Sequence, residues 1–179
     1  MGIFDGKVAI ITGGGKAKSI GYGIAVAYAK EGADLVLTGR NEQKLLDAKE
    51  ELERLYGIRV LALQADVTPD DESEDRVKEV VRKTIEVFGR IDVLINNAGF
   101  GISGAIEFTQ TEDARRQFDV NFFGMVNMNR AVLPIMRRQR SGKILNISSV
   151  AAMIPIPFQA YYSAAKAAIN SYCLLYTSD

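Results

Sequence analysis

Short apolar segments alternate with longer amphipathic segments along the chain. Five of the short segments are rich in Val, Ile and Leu and carry few charges, and such continuous hydrophobicity is typical of strands buried on both faces of a parallel sheet. They predict strands at Val8–Thr12, Leu35–Thr38, Val60–Gln64, Ile91–Ile95 and Lys143–Ser148. The segments between them predict helices at Ile20–Glu31, Glu42–Tyr56, Asp70–Phe88 and Thr111–Arg138, and a fifth helix begins at Tyr161.

The regular alternation of strand and helix indicates the fold class. It implies right-handed crossovers and an α/β fold, in which helices cover both faces of an open, doubly wound parallel sheet of Rossmann type. In such sheets ligands bind beyond the carboxyl ends of the strands, where the strand order reverses. The segments that follow the first and fourth strands are therefore the first candidates for a binding site.

Composition narrows the classes of function. The 179 residues fit one domain, and 22 Lys and Arg balance 22 Asp and Glu, so no basic excess favours nucleic acid. The chain has no histidine, which removes histidine-based triads and most zinc sites, and we expect no metal. The single cysteine, Cys173, fits a reducing compartment, and the apolar segments are too short for a membrane helix. We therefore expect a cytoplasmic protein without membrane contact.

A glycine-rich segment joins the first strand to the first helix. Residues 13 to 15 are all glycine, and Gly21 and Gly23 follow shortly afterwards. Glycines let the backbone turn tightly and approach a pyrophosphate, whose charge then lies at a helix N-terminus. With a strand before it and a helix after it, this segment favours dinucleotide binding, and a purely structural turn is the alternative.

The end of the second strand predicts which dinucleotide binds. An acidic residue there would bind the ribose 2′-hydroxyl, whereas an arginine accommodates a 2′-phosphate. The sequence has Thr38-Gly39-Arg40-Asn41, with no acid, and Lys16 or Lys18 would add positive charge nearby. We therefore favour NADP(H) over NAD(H), with an ordinary surface arginine as the alternative for Arg40.

Further motifs follow the third, fourth and fifth strands. They are Asp66-Val67, Asn96-Asn97-Ala98-Gly99, Ile147-Ser148-Ser149 and Tyr161-Tyr162-Ser163-Ala164-Ala165-Lys166. Together with the glycine-rich segment, in this order and at this spacing, they make the sequence resemble the short-chain dehydrogenase/reductase family, in its Tyr-x-x-x-Lys branch. The resemblance covers nearly the whole chain. It implies a single NAD(P)-binding domain over residues 1–179 with strand order 3-2-1-4-5, and hydride transfer between NADP(H) and a small carbonyl or alcohol substrate of the ketone or 3-oxoacyl type. It also implies a homodimer or homotetramer at full length.

The resemblance assigns roles to individual residues. It implies Tyr162 as the proton donor and Lys166 as its partner. Ser149 would orient the carbonyl, and Asn121 would support a water-linked proton relay. Asp66 and Val67 match the adenine-binding pair, and Asn97 and Gly99 match positions lining the ribose. With the glycine-rich segment and Arg40, the expected cofactor-binding residues are Gly13, Ser19, Ile20, Gly21, Arg40, Asp66, Val67, Asn97, Gly99, Tyr162 and Lys166.

The chemistry of these residue types fits the implied roles. Tyr162 and Lys166 are four residues apart, so their side chains share one helix face. A free tyrosine titrates near pH ~10, which is too high for efficient proton exchange at neutral pH, and a nearby ammonium group favours the phenolate. Ser149 would donate a hydrogen bond where negative charge develops on the substrate oxygen. For Asn121, a capping or loop role is the alternative.

Two departures from the family pattern leave alternatives open. Ser19 replaces the usual middle glycine and two residues are inserted, so this segment resembles that of enoyl-acyl-carrier-protein reductases. Those enzymes place six residues between tyrosine and lysine, which would require a tyrosine where this chain has Gln159. The family also has two further strands after the last helix, so we expect an incomplete domain with an aggregation-prone apolar edge at the fifth strand. The alternatives are an enoyl reductase and a dinucleotide-binding module without catalysis.

Overall fold

Five segments form parallel β-strands in the computed structural model, which describes residues 2–68, 72–154 and 156–176. They are β1 (Val8–Thr12), β2 (Asp34–Gly39), β3 (Val60–Gln64), β4 (Val93–Asn96) and β5 (Lys143–Asn146). The strands form one sheet in the order β3-β2-β1-β4-β5, so the predicted doubly wound sheet and its strand order are confirmed. β1 and β3 have the predicted bounds, and the ends of the other strands differ from prediction by a residue or two.

Helices connect these strands and cover both faces of the sheet. They are α1 (Ile20–Lys30), α2 (Glu42–Tyr56), α3 (Ser73–Phe88), α4 (Thr111–Phe118), α5 (Gly124–Gln139) and α6 (Ala160–Tyr176). The predicted start of the third helix at Asp70 lies outside the described residues. α2 has the predicted bounds because Asn41 caps its first turn and Gly57, in the left-handed conformation, ends it.

The long helix predicted from Thr111 to Arg138 is present as one continuous helical stretch, and it contains a π-helical turn. α4 ends at Phe118, a π-helical turn spans Asp119–Phe123, and α5 continues from Gly124. A π-helical turn bonds each residue to the fifth before it rather than the fourth, and such turns occur often at functional sites. Because the apolar pattern continues through the turn, periodicity does not reveal it. The turn contains Asn121 and sets the direction of its side chain.

The sheet separates two apolar cores. Successive residues of a strand point to opposite faces, so Val8 and Ile10 pack in the core that includes α3 and α5, whereas Ala9 and Ile11 pack in the core that includes α1 and α2. All four residues are 2% exposed or less. This burial on both faces explains the continuous hydrophobicity of the strand segments.

Asp92 joins β1 and β4 at the amino edge of the sheet. Its carboxylate accepts the Val8 amide at 3.0 Å and pairs with Arg90 at 2.6 Å and Lys7 at 3.4 Å. Burial acts to raise the pKa of Asp92, but Arg90, the Val8 amide and Lys7 together hold that pKa below its ordinary value. This cluster fixes the sheet at the edge opposite the predicted binding site.

β5 lies at one side of the sheet, next to β4 only. Leu145 is 39% exposed, and Ile144 lines an open groove of about 640 Å³ bordered by α5 and α6. Aggregation at this strand edge stays a prediction. In the three described stretches of the chain, no helix combines the length and hydropathy needed to cross a membrane.

Candidate active site

An open cleft of about 580 Å³ lies beyond the carboxyl ends of β1, β4 and β5. The strand order reverses between β1 and β4, so the cleft occupies the place where doubly wound sheets bind ligands. Most of the predicted site residues line it: Gly13, Ser19, Ile20, Gly21, Asn97, Gly99, Ser149, Tyr162 and Lys166. The structure therefore brings together residues that lie far apart in the sequence, and their roles stay predictions.

The glycine-rich segment forms one wall of the cleft with its backbone. Gly13 has a φ of +71°, in the left-handed region, and a Cβ there would lie 3.0 Å from Asn97 Nδ2. A Cβ at Gly21 would lie 2.5 Å from the carbonyl oxygen of Gly13. Ser19 caps α1, because its Oγ accepts the Tyr22 amide at 3.3 Å. The serine that departs from the usual glycine pattern thus begins the helix whose first residues line the cleft.

Thr12, at the end of β1, connects this wall to the segment after β4. Its Oγ1 accepts the amides of Asn97 at 3.0 Å and Ala98 at 2.9 Å, and Asn97 Nδ2 donates to the Thr12 carbonyl at 2.9 Å. Thr12 is 2% exposed. It was missed as a site residue, although a threonine that ends a buried apolar strand just before a glycine run is a signal for such a role.

Buried amide side chains continue this connection beneath the cleft. Asn96 Nδ2 donates to Asn129 Oδ1 at 2.8 Å and to Asn146 Oδ1 at 2.7 Å. Asn96 is 6% exposed and Asn129 is 3% exposed. These bonds tie the end of β4 to α5 and to β5. The carboxyl ends of the strands therefore hold fixed positions relative to one another.

Lys166, Tyr162 and Ser149 lie together at one end of the cleft. Lys166 is 5% exposed, and its Nζ donates to the Ile147 carbonyl at 2.7 Å and lies 5.9 Å from the centroid of the Tyr162 ring. Burial lowers the pKa of Lys166. Ser149 Oγ accepts the Ala151 amide at 3.1 Å, and this contact uses a lone pair and leaves the hydroxyl proton free to donate. Ser148 instead donates to the Lys166 carbonyl at 3.3 Å.

Asn121 lies behind the cleft wall and does not line the cleft. It is 2% exposed, its Oδ1 accepts the Phe100 amide at 3.0 Å, and its Nδ2 donates to the Phe100 carbonyl at 2.8 Å. A small cavity of about 10 Å³ touches Asn121, Lys166 and Thr12. This is close to the volume that one water molecule requires, at roughly 10–15 Å³. The cavity fits the predicted water-linked relay, which stays a prediction.

Arg40, Asp66 and Val67 follow β2 and β3 at the same edge of the sheet but do not line the cleft. Arg40 is exposed, and Gln64 Nε2 donates to its backbone carbonyl at 2.9 Å. The Asp66 carboxylate accepts the amide of Thr68 at 3.0 Å and its hydroxyl at 2.6 Å. Val67 is 6% exposed and packs in the core. Cofactor contacts of these residues stay predictions.

A family model described as short chain dehydrogenase matches residues 7–177. The chain is 61% identical over 174 residues to a 12alpha-hydroxysteroid dehydrogenase from a Clostridium species, covering 95% of this chain and 66% of that relative. It is 48% identical over 114 residues to a 3-ketodihydrosphingosine reductase from Bacteroides thetaiotaomicron, covering 64% of this chain and 41% of that relative.

Solved structures share the same architecture. L-sorbose reductase from Gluconobacter frateurii, complexed with NADPH and L-sorbose, superposes with a TM-score of 0.88 at 34% identity, covering 96% of this chain and 63% of that chain. NAD+-bound xylitol dehydrogenase gives a TM-score of 0.88 at 31% identity, covering 95% of this chain and 63% of that chain. The chain thus spans two thirds or less of the length of these relatives.

Proposed function

The chain belongs to the short-chain dehydrogenase family, and on that premise we propose that it transfers a hydride between NADP(H) and a carbonyl or alcohol substrate, with Tyr162 exchanging the proton. One observation carries the proposal. The buried Lys166 ammonium lies 5.9 Å from the Tyr162 ring centroid, in a cleft that Ser149 and the glycine-rich segment also line. An ammonium group beside a tyrosine is an acid–base pair that requires no histidine.

Close packing around the glycine-rich segment supports the dinucleotide assignment. Gly13 and Gly21 approach their neighbours so closely that a Cβ at either position would meet Asn97 or backbone atoms at 3.0 Å or less. These glycines line the cleft beside the N-terminus of α1, where a pyrophosphate charge is favourable. A bound nicotinamide dinucleotide would supply or accept the hydride. Gly13, Ser19, Ile20 and Gly21 would hold its pyrophosphate, and Asn97 and Gly99 would contact its ribose.

The protein's own residues would handle the proton and the charge on oxygen. During ketone reduction, the Tyr162 hydroxyl donates a proton to the substrate oxygen. Ser149, whose hydroxyl proton is not used in its contact with Ala151, donates a hydrogen bond to the same oxygen as its negative charge develops. Lys166 favours the phenolate that remains on Tyr162. Alcohol oxidation runs these steps in reverse.

Substitution of the two adjacent tyrosines tests this assignment. Tyr162→Phe should lower kcat by about 10²–10⁴-fold, the usual contribution of a general acid. Tyr161→Phe is the matched control, because Tyr161 does not line the cleft, and it should stay within about threefold of the parent chain. The assay is NADPH oxidation with steroid and sugar ketones, because the chain is similar to a 12alpha-hydroxysteroid dehydrogenase and to an L-sorbose reductase. Equal rates for the two variants would refute the role of Tyr162.

Arg40 supports the preference for NADP(H). It is exposed just after β2, where an arginine can pair with a 2′-phosphate and no acidic residue competes. Arg40→Ala should weaken NADPH binding by about 10- to 100-fold, the value of a charge-assisted contact, and leave NADH binding nearly unchanged. Arg138→Ala, an exposed arginine at the end of α5, is the control. Fluorescence titration that finds equal losses for both cofactors would contradict the preference.

A dinucleotide-binding module without catalysis is the second candidate. It is favoured by the glycine-rich segment, which lines the cleft at the N-terminus of α1 and would bind a dinucleotide whether or not turnover follows. NADPH binding without turnover of any ketone or enoyl substrate would support this module. Turnover of an enoyl substrate alone would instead indicate an enoyl reductase. We also propose that the protein is a cytoplasmic homodimer or homotetramer, which cell fractionation and sedimentation would test.

A further inference from the structure

Two buried amide side chains hold the segment after β4 at alternate residues. Asn121 bonds both backbone groups of Phe100, and Gln117 Oε1 accepts the Ile102 amide at 3.1 Å. Gln117 is 0% exposed and lies four residues before Asn121. The two amides thus hold the backbone at residues 100 and 102, on either side of Gly101.

Gly101 lies between the two bonded residues and borders the cleft. A Cβ at Gly101 would lie 3.5 Å from Cδ2 and 3.7 Å from Cε2 of Tyr162, so the backbone of residue 101 faces the ring of the proposed proton donor. The backbone on either side of Gly101 is held by Asn121 and Gln117 respectively. The distance between the backbone at Gly101 and the Tyr162 ring therefore depends on both amide side chains.

Packing alone does not account for a glutamine at position 117. Its Nε2 has no hydrogen-bond partner among the residues that the structure describes. A buried amide group without its full set of hydrogen bonds opposes folding, and an aliphatic side chain of similar size would avoid that penalty. The bond to Ile102 is the contact that distinguishes Gln117 from such an aliphatic residue.

We propose, on the basis of the function proposed above, that Gln117 is a positioning residue for the carbonyl reaction. It holds the backbone of residues 100–102, which we call the Gly101 wall, against the Tyr162 ring. A substrate carbonyl then meets the tyrosine hydroxyl at a fixed distance and angle. Gln117 itself is fully buried and does not line the cleft. Displacement of reacting groups by about 1 Å can lower a rate by about 10²-fold, so a wall of this kind affects the rate.

The chain provides a matched control at the opposite edge of the sheet. Gln139 accepts the Ile91 amide at 3.0 Å and donates to the Ile91 carbonyl at 2.7 Å. Gln139→Met therefore removes glutamine–backbone hydrogen bonds far from the cleft. Gln117→Met removes the acceptor for Ile102 with little change of shape. Gln117→Glu keeps an acceptor oxygen at the same place, in either protonation state, and serves as the rescue variant.

The first experiment measures amide exchange and nuclear Overhauser contacts by NMR and needs no turnover. We expect Gln117→Met to lower protection of the Ile102 amide at least tenfold, roughly the value of one buried hydrogen bond, and to weaken the contact between Gly101 and the Tyr162 ring. Gln117→Glu should retain both signals, and Gln139→Met should lower protection only at Ile91. Unchanged signals in Gln117→Met would overturn the proposal whether or not the chain is active.

The second experiment separates kcat from KM for ketone reduction. We expect Gln117→Met to lower kcat at least tenfold with its NADPH Kd within about twofold, and Gln117→Glu to restore kcat to within about threefold. An equal loss in Gln139→Met would indicate general loosening and overturn the positioning role. Absence of turnover in the parent chain would instead refute the proposed function, and the NMR result would still decide whether Gln117 holds the wall.

Discussion

Thr12→Val removes one hydroxyl from beneath the cleft and preserves the shape of the side chain. The Thr12 hydroxyl accepts the amides of Asn97 and Ala98, at 3.0 and 2.9 Å, at a position that is 2% exposed. Each buried N–H that loses its partner costs about 1–3 kcal/mol. Because two amides are affected and both are partly buried, we expect the free energy of unfolding to fall by about 2–4 kcal/mol, a large share of the roughly 5–15 kcal/mol that stabilises a typical domain.

Thr38 supplies the matched control for this substitution. It is the register partner of Thr12 on β2, it is 0% exposed, and its Oγ1 has no hydrogen-bond partner within the described residues. Thr38→Val therefore removes a buried hydroxyl without breaking a bond, and we expect stability to stay unchanged or to rise. Urea unfolding followed by circular dichroism measures both variants. A Thr12→Val loss within about 0.5 kcal/mol of the Thr38→Val value would refute the reasoning.

Gly21→Ala places a Cβ 2.5 Å from the Gly13 carbonyl oxygen, so we expect it to lose about 1–3 kcal/mol of stability and at least about tenfold in NADPH affinity. Gly23→Ala, whose Cβ would meet open space, should retain the parent chain's stability in urea unfolding and its NADPH affinity in fluorescence titration. Burial lowers the pKa of Lys166 in the folded chain below its ordinary 10.5. Between that lowered pKa and 10.5 the unfolded chain binds the proton and the folded chain does not. The parent chain should therefore gain stability relative to Lys166→Met as pH rises through this window. A flat difference in urea unfolding across this window would contradict the burial effect. Asp92→Asn should cost about 2 kcal/mol at neutral pH. Because the folded-state pKa is held low, this deficit should shrink as pH falls below the ordinary Asp value of about 3.9, and a deficit that persists in acid would contradict the ion-pair account.

The sheet was predictable because its hydrophobic signal is local. β1 has the predicted bounds because every residue of Val8–Thr12 is buried and Lys7 and Gly13 flank it, and β3 also has the predicted bounds. The π-helical turn at Asp119–Phe123 was not predictable, because the apolar pattern of the helix continues through it.

Residues of the cleft could be predicted from the sequence only where they belong to motifs of recognisable spacing. Tyr162, Lys166 and Ser149 line it as their spacing suggested, because two of them share one helix face and the third follows an adjacent strand. Gln117 and Thr12 were missed because their partners lie far along the chain, at separations of 15 residues for Ile102 and 86 for Ala98. In sequence alone, a glutamine in a polar helix resembles a solvent-facing residue.

Because β1 lies at the centre of the sheet, it is synthesised long before one of its two neighbouring strands, β4. The Thr12 hydroxyl at the end of β1 bonds the amide of Asn97, which lies 85 residues further along the chain. Ribosomes add about 5–20 residues per second, so this partner follows Thr12 by roughly 4–17 s. During that interval β2 and β3 can assemble on one side of β1, while the other side waits for β4 with its backbone groups unpaired. The edge that later builds the cleft is therefore the part of the nascent chain most open to mispairing and to chaperones.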